Sequence, residues 1–131
     1  MAGYKLALGA GEFYRDNTFT TLTGAPPEAT ASFDVIGFKQ HAMAVTIATI
    51  DTNVIVELEG SHDGTLFFDL PLDSETPVTG LAVTTNRATI TANGTYVLLV
   101  KDTPIKHIRL NFVSESGGTD ATVTAVYHGS N

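Results

Sequence analysis

The sequence predicts an all-β protein: an antiparallel β-sandwich, jelly-roll-like, with about eight strands and an extended N-terminal arm. Three observations carry that prediction. From residue 31 onward apolar residues recur with period two, the repeat of a strand that buries one face. Turn signals interrupt this stretch roughly every 8 to 12 residues, the spacing of a sandwich or barrel. No long window carries a competing helical repeat of apolar residues.

Residues 1–30 read as the arm. Gly9, Gly11, Gly24, Pro26 and Pro27 punctuate it. Tyr4, Leu6 and Leu8 alternate and mark one short strand. Such an arm either joins the sheet of its own domain or reaches onto a neighbouring subunit, where its apolar residues find a partner surface.

Residues 31–131 read as the sandwich domain. ASFDVIGF opens it with Phe33 and Val35, and with Ile36 and Phe38 as further apolar positions. AMAVTIATI sets Met43, Val45 and Ile47 on one face, with Thr46 and Ala48 on the other. NVIVELEG sets Val54, Val56 and Leu58 inward, with Glu57 and Glu59 outward. TLFFDL, RATIT, GTYVLLV, IKHIRLNFV and ATVTAVYHG complete the series. The alternation slips near His107, which predicts a bulge there. Between the strands lie DTN, GSHDGT, DSETP, TANG, KDTP and SESGGTD. DLPLDSETPVTG is the strongest loop, because Pro71 and Pro77 limit any strand through it. A seven-stranded immunoglobulin-like sandwich shares this pattern, and strand order separates the two.

Size and composition agree with one such domain. A chain of 131 residues buries roughly 68% of its unfolded surface, enough for a single hydrophobic core. Charged residues make up 16%, below the roughly 25% typical of soluble domains. Uncharged polar groups must therefore cover the surface, and threonine, which suits a half-exposed strand face, is the main supplier. The net charge is -7, from 14 acidic and 7 basic residues without a basic run. Nucleic-acid binding is not expected, since phosphate neutralisation needs clustered lysine and arginine. Cysteine is absent, which excludes disulfides and thiolate metal sites. In MAGYKLALGAGEF the apolar run is too short for a signal peptide, and no stretch approaches the roughly 18 apolar residues of a membrane span. Secretion by the general route and membrane anchoring are not expected.

Residues 54–70, VIVELEGSHDGTLFFDL, raise the question of catalysis. Ser61, His62 and Asp63 are the residue types of hydrolytic chemistry. Each also has a turn-forming reason to be there. Asp63-Gly64 is a strong hairpin signal, Gly60 offers conformational freedom, and Ser61 can bond its own loop backbone. A catalytic triad needs side chains converging across the fold, which consecutive hairpin residues do not easily achieve. The turn reading is preferred.

Other polar residues lack catalytic or metal spacing. His41, His62, His107 and His128 form no HxH or HExxH pair. His107 and His128 would meet only if their strands paired, and surface or interface histidines are the expectation. Glu57 and Glu59 share a strand face about 7 Å apart, a distance that suits glycoside hydrolysis, but outward glutamates are ordinarily solvated. Asp69, Asp73 and Glu75 lack the register of a calcium loop. Phe67 and Phe68 are adjacent, so one is expected in the core and the other outside it. Tryptophan is absent, which weakens a carbohydrate platform; Tyr4, Tyr14, Tyr96 and Tyr127 remain beside the phenylalanines.

Three stretches, VELEGSHDGTLFFDL, ITANGTYVLLV and IKHIRLNFVSESGGTDATVTAVYHG, together resemble small β-sandwich proteins of tailed-bacteriophage virions. Within that group the pattern is most similar to capsid decoration, or cement, proteins, over residues 31–129. EGS-x-DG-x-x-F hairpins also look like those of discoidin-type and carbohydrate-binding sandwiches. The resemblance implies a structural role on the outer capsid surface of the virion. It implies a homotrimer that bridges neighbouring major capsid protein subunits. It implies no catalytic residue, no cofactor and no metal. Under this reading Tyr4, Leu6, Leu8, Phe13 and Tyr14 of the arm, with Phe68, are the candidate partner contacts. The alternative is a carbohydrate- or host-surface-binding module of a phage tail or baseplate component.

Overall fold

The computed structural model describes residues 4–6, 13–18, 22–23, 28–30, 32–74, 79–116 and 121–130. For 4–6, 13–18, 22–23, 28, 33 and 74 it describes the backbone alone. The described strands, in chain order, are β1 (Tyr4–Leu6), β2 (Phe13–Thr18), β3 (Leu22–Thr23), β4 (Glu28–Ala29), β5 (Phe33–Asp34), β6 (Gln40–Ala48) and β7 (Asn53–Ser61). They continue as β8 (Phe67–Asp69), β9 (Asp73–Ser74), β10 (Leu81–Thr84), β11 (Arg87–Ile90), β12 (Gly94–Val100), β13 (His107–Ser116) and β14 (Thr122–Ser130). Among these residues no helix is long and apolar enough to cross a membrane.

The strands form two antiparallel sheets of seven. One runs β1-β2-β14-β6-β12-β9, with β3 also on β14. The other runs β10-β11-β7-β13-β4, with β5 also on β13 and β8 also on β7. From β11 to β14 the chain alternates between the sheets, the jelly-roll-like habit of a two-layer sandwich. All eight segments of period two contain a strand: β5, β6, β7, β8, β11, β12, β13 and β14.

The core lies between the sheets and follows the alternation. Met43, Val45 and Ile47 of β6 and Tyr96, Leu98 and Val100 of β12 face Val54, Val56 and Leu58 of β7 and Ile108, Leu110 and Phe112 of β13, all buried. Burying each large side chain stabilises the fold by about 1.5 to 3 kcal/mol. Val35 and Phe38 are buried as expected, whereas Ile36 is 61% exposed because it stands in the turn between β5 and β6.

Two expectations, the bulge and the loop, need correction, and further pairings complete the sheets. The bulge falls not near His107 but between Phe112 and Ser114, where the β13–β7 register shifts. The slip at Lys106 and His107 is the start of β13 rather than an extra residue within it. DLPLDSETPVTG is not wholly loop: Asp73–Ser74 pairs with Leu98–Leu99 of β12. β10 pairs with β11 through the two-residue turn Thr85–Asn86, where Thr85 takes a positive φ of 49°. Within residues 1–30, β2 and β3 pair with β14, and β4 pairs with β13. Thr30 continues that last pairing, with its N–H donating to Leu110 O and its hydroxyl accepting from Leu110 N–H.

Candidate functional site

The polar turn closes on itself. β7 ends at Ser61 and β8 begins at its register partner Phe67, so residues 62–66 form the loop. Ser61 is wholly buried. Its hydroxyl accepts from the N–H groups of Asp63 (3.2 Å) and Gly64 (2.8 Å) and donates to Asp63 Oδ1 at 3.1 Å. The same Oδ1 accepts from Thr65 N–H (2.8 Å) and Leu66 N–H (2.9 Å). These bonds, led by Leu66 and followed by Thr65 and Ser61, hold the Asp63 carboxyl below the usual carboxylate range. Gly64 alone in the loop takes a positive φ, 80°, so the wider loop replaces the tight Asp-Gly bend that the residues suggest. Gly60 serves close packing instead of turning: a Cβ there would lie 2.9 Å from Leu70 and 3.0 Å from Ile105.

His62 takes no part in this network. It packs its ring against Phe68, centroids 5.4 Å apart, and no hydrogen bond joins it to Ser61 among the described residues. The Ser61 hydroxyl is wholly buried and spends its proton on Asp63 within the turn's own network, with no histidine among its described partners. The turn is a self-capping structural element.

The outer face of the second sheet holds a second polar group. Glu57 and Glu59 point outward as expected, yet Glu57 is only 7% exposed. Arg87 donates from Nε (3.1 Å) and Nη2 (3.0 Å) to one oxygen of Glu57. Arg109 Nε donates to Glu59 at 2.7 Å, and its guanidinium lies 3.9 Å over the Phe67 ring. Solvated glutamates were the expectation; cross-strand arginines cover them instead. Asp69 lies opposite Glu59 on β8, and carboxylate oxygens of Glu57, Glu59 and Asp69 lie within 4.8 Å of one another. Oxygens that close suit a hard cation, but two of the three carboxylates already hold an arginine. The set Asp69, Asp73 and Glu75 is not brought together. Asp73 sits in the other sheet, paired with Lys101 at 3.2 Å, and Glu75 lies outside the described residues.

The remaining histidines separate. His107 is on β13 and His128 on β14, strands of different sheets, so they do not meet. His41, expected at the surface, is 2% exposed and bonds to Tyr127 and Thr103. A depression of about 150 Å³ beside it is lined by Gln40, Ala42, Leu99, Lys101, His128 and Ser130.

Exposed apolar side chains stand on the segments around the polar turn, among charged ones. Val35 N–H donates to Lys106 O, and Lys106 N–H donates to Ser61 O, so these bonds carry the β5 row across to the turn. Ile36 (61% exposed) follows β5, Leu66 (75%) ends the polar loop and Phe68 (41%) belongs to β8, with exposed Asp34, His62, Asp63 and Lys106 in the same segments. Neither adjacent phenylalanine enters the core: Phe67 lies under Arg109, and Phe68 is exposed on β8 beside His62. Leu70 and Ile105 fill the core position beside Gly60. Of the other candidate contacts, the side chains of Tyr4, Leu6, Phe13 and Tyr14, and the whole of Leu8, lie outside the described residues.

Fold and site together define a two-sheet β-sandwich with a self-closed polar turn and exposed apolar side chains near it. No family model matches the chain, and no curated protein matches it. Among solved structures, the SPBc2 prophage-derived protein YomS is similar, at 13% identity and a TM-score of 0.49. The similarity covers 92% of this chain and 95% of that one. At this level the similarity assigns neither a family nor a role.

Proposed function

We propose that this protein is a non-enzymatic structural component of a phage particle. It binds the outer capsid surface and bridges neighbouring major capsid protein subunits. The observation that carries the reading is the exposure of three large apolar side chains, Ile36, Leu66 and Phe68, on a sandwich whose Ser61, Asp63, Glu57 and Glu59 are already committed to partners. Apolar side chains held out by a rigid scaffold favour adhesion. Repetition by capsid symmetry turns weak contacts into a strong total through avidity. The motif resemblance of residues 31–129 points the same way. A homotrimer at three-fold positions is the arrangement that the reading expects.

The test is co-sedimentation of the purified protein with expanded heads that lack it, followed by heating. Binding with raised heat resistance supports the reading. Heads equally robust with and without bound protein would remove the bridging role. The Leu66→Ser and Phe68→Ser variants are expected to weaken binding while keeping the fold. The exposed His62–Phe68 pair favours a second reading, a carbohydrate- or host-surface-binding module. A glycan array with a signal lost in Phe68→Ser would select it.

A further inference from the structure

Three adjacent strands at the middle of the first sheet, β14, β6 and β12, contain no aspartate, glutamate, lysine or arginine. The middle of the second sheet differs: β7 carries Glu57 and Glu59, β11 carries Arg87, and β13 carries Arg109 and Glu115. Alternation sends half of the uncharged side chains into the core and half to the outer face. The register stacks the outward half into rows across the strands. Thr124, Thr46 and Thr95 form one row, and Val126, Ala44 and Val97 form the next. Thr46 and Thr95 already bond to each other through their hydroxyls at 2.9 Å, which lowers the cost of taking them out of water.

The face also has relief. Ala44 and Ala42 make a trough along β6, between Val126 on one side and Val97 and Leu99 on the other. Val126 is 39% exposed. Beyond Ala44 the trough opens into the depression of about 150 Å³ where Ala42 lies between Leu99 and His128, room for one aliphatic side chain. Charge is kept to the margins. Lys101 pairs with Asp73 at 3.2 Å beside β12, and Asp16 of β2 is the register partner of His128. An uncharged centre inside a polar rim is the anatomy of an interface.

We infer that this face docks a second copy of the chain, sheet against sheet, about a two-fold axis. Three observations choose that occupant. The first is charge. A chain of net charge -7 repels its own copies, and these strands let two copies meet with no carboxylate at the centre of the contact. The second is shape. A two-fold axis running between β14 and β6 sets Val126 of each copy over the Ala44 trough of the other, the reciprocal fit that an isologous contact requires. The third is area. Strands lie about 4.8 Å apart and rise about 3.4 Å per residue, so β2, β14, β6 and β12 offer a face of about 20 Å by 30 Å. That is about 600 Å² on each copy and about 1,200 Å² for the pair, the lower end of the range for stable interfaces. The inference stands apart from the capsid role, since it uses a different surface from Ile36, Leu66 and Phe68.

Sedimentation velocity of the full chain, from low micromolar to millimolar concentration, tests the pairing. An even number of copies is expected: a dimer, or a hexamer where the trimer of the proposed function also forms. Val126→Glu would bury an unpaired carboxylate against the other copy, so it is expected to raise the dissociation constant by about tenfold or more. Thr89→Glu adds the same charge to the outer face of the second sheet and is expected to change it by less than about twofold, because salt screens a charge that far from the contact. NMR of the unaltered chain decides the matter where Val126→Glu fails to fold: amides of β6, β12 and β14 are expected to shift as concentration rises, while those of β7, β11 and β13 stay still. A monomer throughout, or an odd number of copies alone, would overturn the inference. So would a Val126→Glu chain that pairs as tightly as its parent, a Thr89→Glu chain that is weakened as much, or concentration-dependent shifts centred on the second sheet.

Discussion

Ser61→Ala is the sharpest perturbation of the polar turn. The hydroxyl accepts from two backbone N–H groups and donates to Asp63, at a residue with no exposed surface. Alanine fits the space but leaves the N–H of Gly64 without its 2.8 Å acceptor. Leaving one such donor unsatisfied costs about 1 to 3 kcal/mol. In a domain of this size that lowers the melting temperature by about 4 °C for each kcal/mol. The assay is urea unfolding followed by circular dichroism, with the slope unchanged and the midpoint reduced. The same variant raises the Asp63 carboxyl towards its ordinary range, because one of its three donors to Oδ1 is gone. Leu66 and Thr65 still hold it below that range. An unchanged midpoint, or an unchanged Asp63 titration, would refute the view that the turn caps itself.

Further perturbations probe the rest of the scaffold. Arg87→Ala strips the partner from the nearly buried Glu57; because the arginine is half exposed, the expected loss is about 1 to 2 kcal/mol, read by denaturant unfolding. A double-mutant cycle on Arg109 and Glu59 should give a coupling of about 1 kcal/mol that shrinks with added salt. Gly129→Ala should destabilise the fold by about 1 to 3 kcal/mol, since the new Cβ collides with Tyr127 and Phe38; its melting curve against the parent checks this. Leu58→Ala should cost about 3 to 5 kcal/mol, because Leu58 is wholly buried between the sheets.

How much of this is legible in the residues depends on how local the cause is. β6 and β7 can be read because Met43, Val45 and Ile47, and Val54, Val56 and Leu58, alternate over whole strands. β10 is hidden because Thr84-Thr85-Asn86 lacks a hairpin signal, and Thr85 takes a φ that threonine rarely adopts. β9 is hidden because two residues between prolines carry no period, and only the edge of β12 makes them a strand. The outward direction of Glu57 and Glu59 follows from alternation. Their covering does not, because Arg87 and Arg109 arrive from 30 and 50 residues away. Ser61 and Asp63 are legible as turn formers, since their bonds span two or three residues. His41 is not legible as a core residue, because its partners Tyr127 and Thr103 lie 86 and 62 residues away.

The central claim is that the chain works by adhesion, repeated many times on one particle. Under the proposed function, quantitative mass spectrometry of intact phage particles tests it most directly. The account predicts copies on the order of hundreds per particle, in fixed ratio to the major capsid protein. Absence from the particle, or a copy number in the single digits, would contradict it.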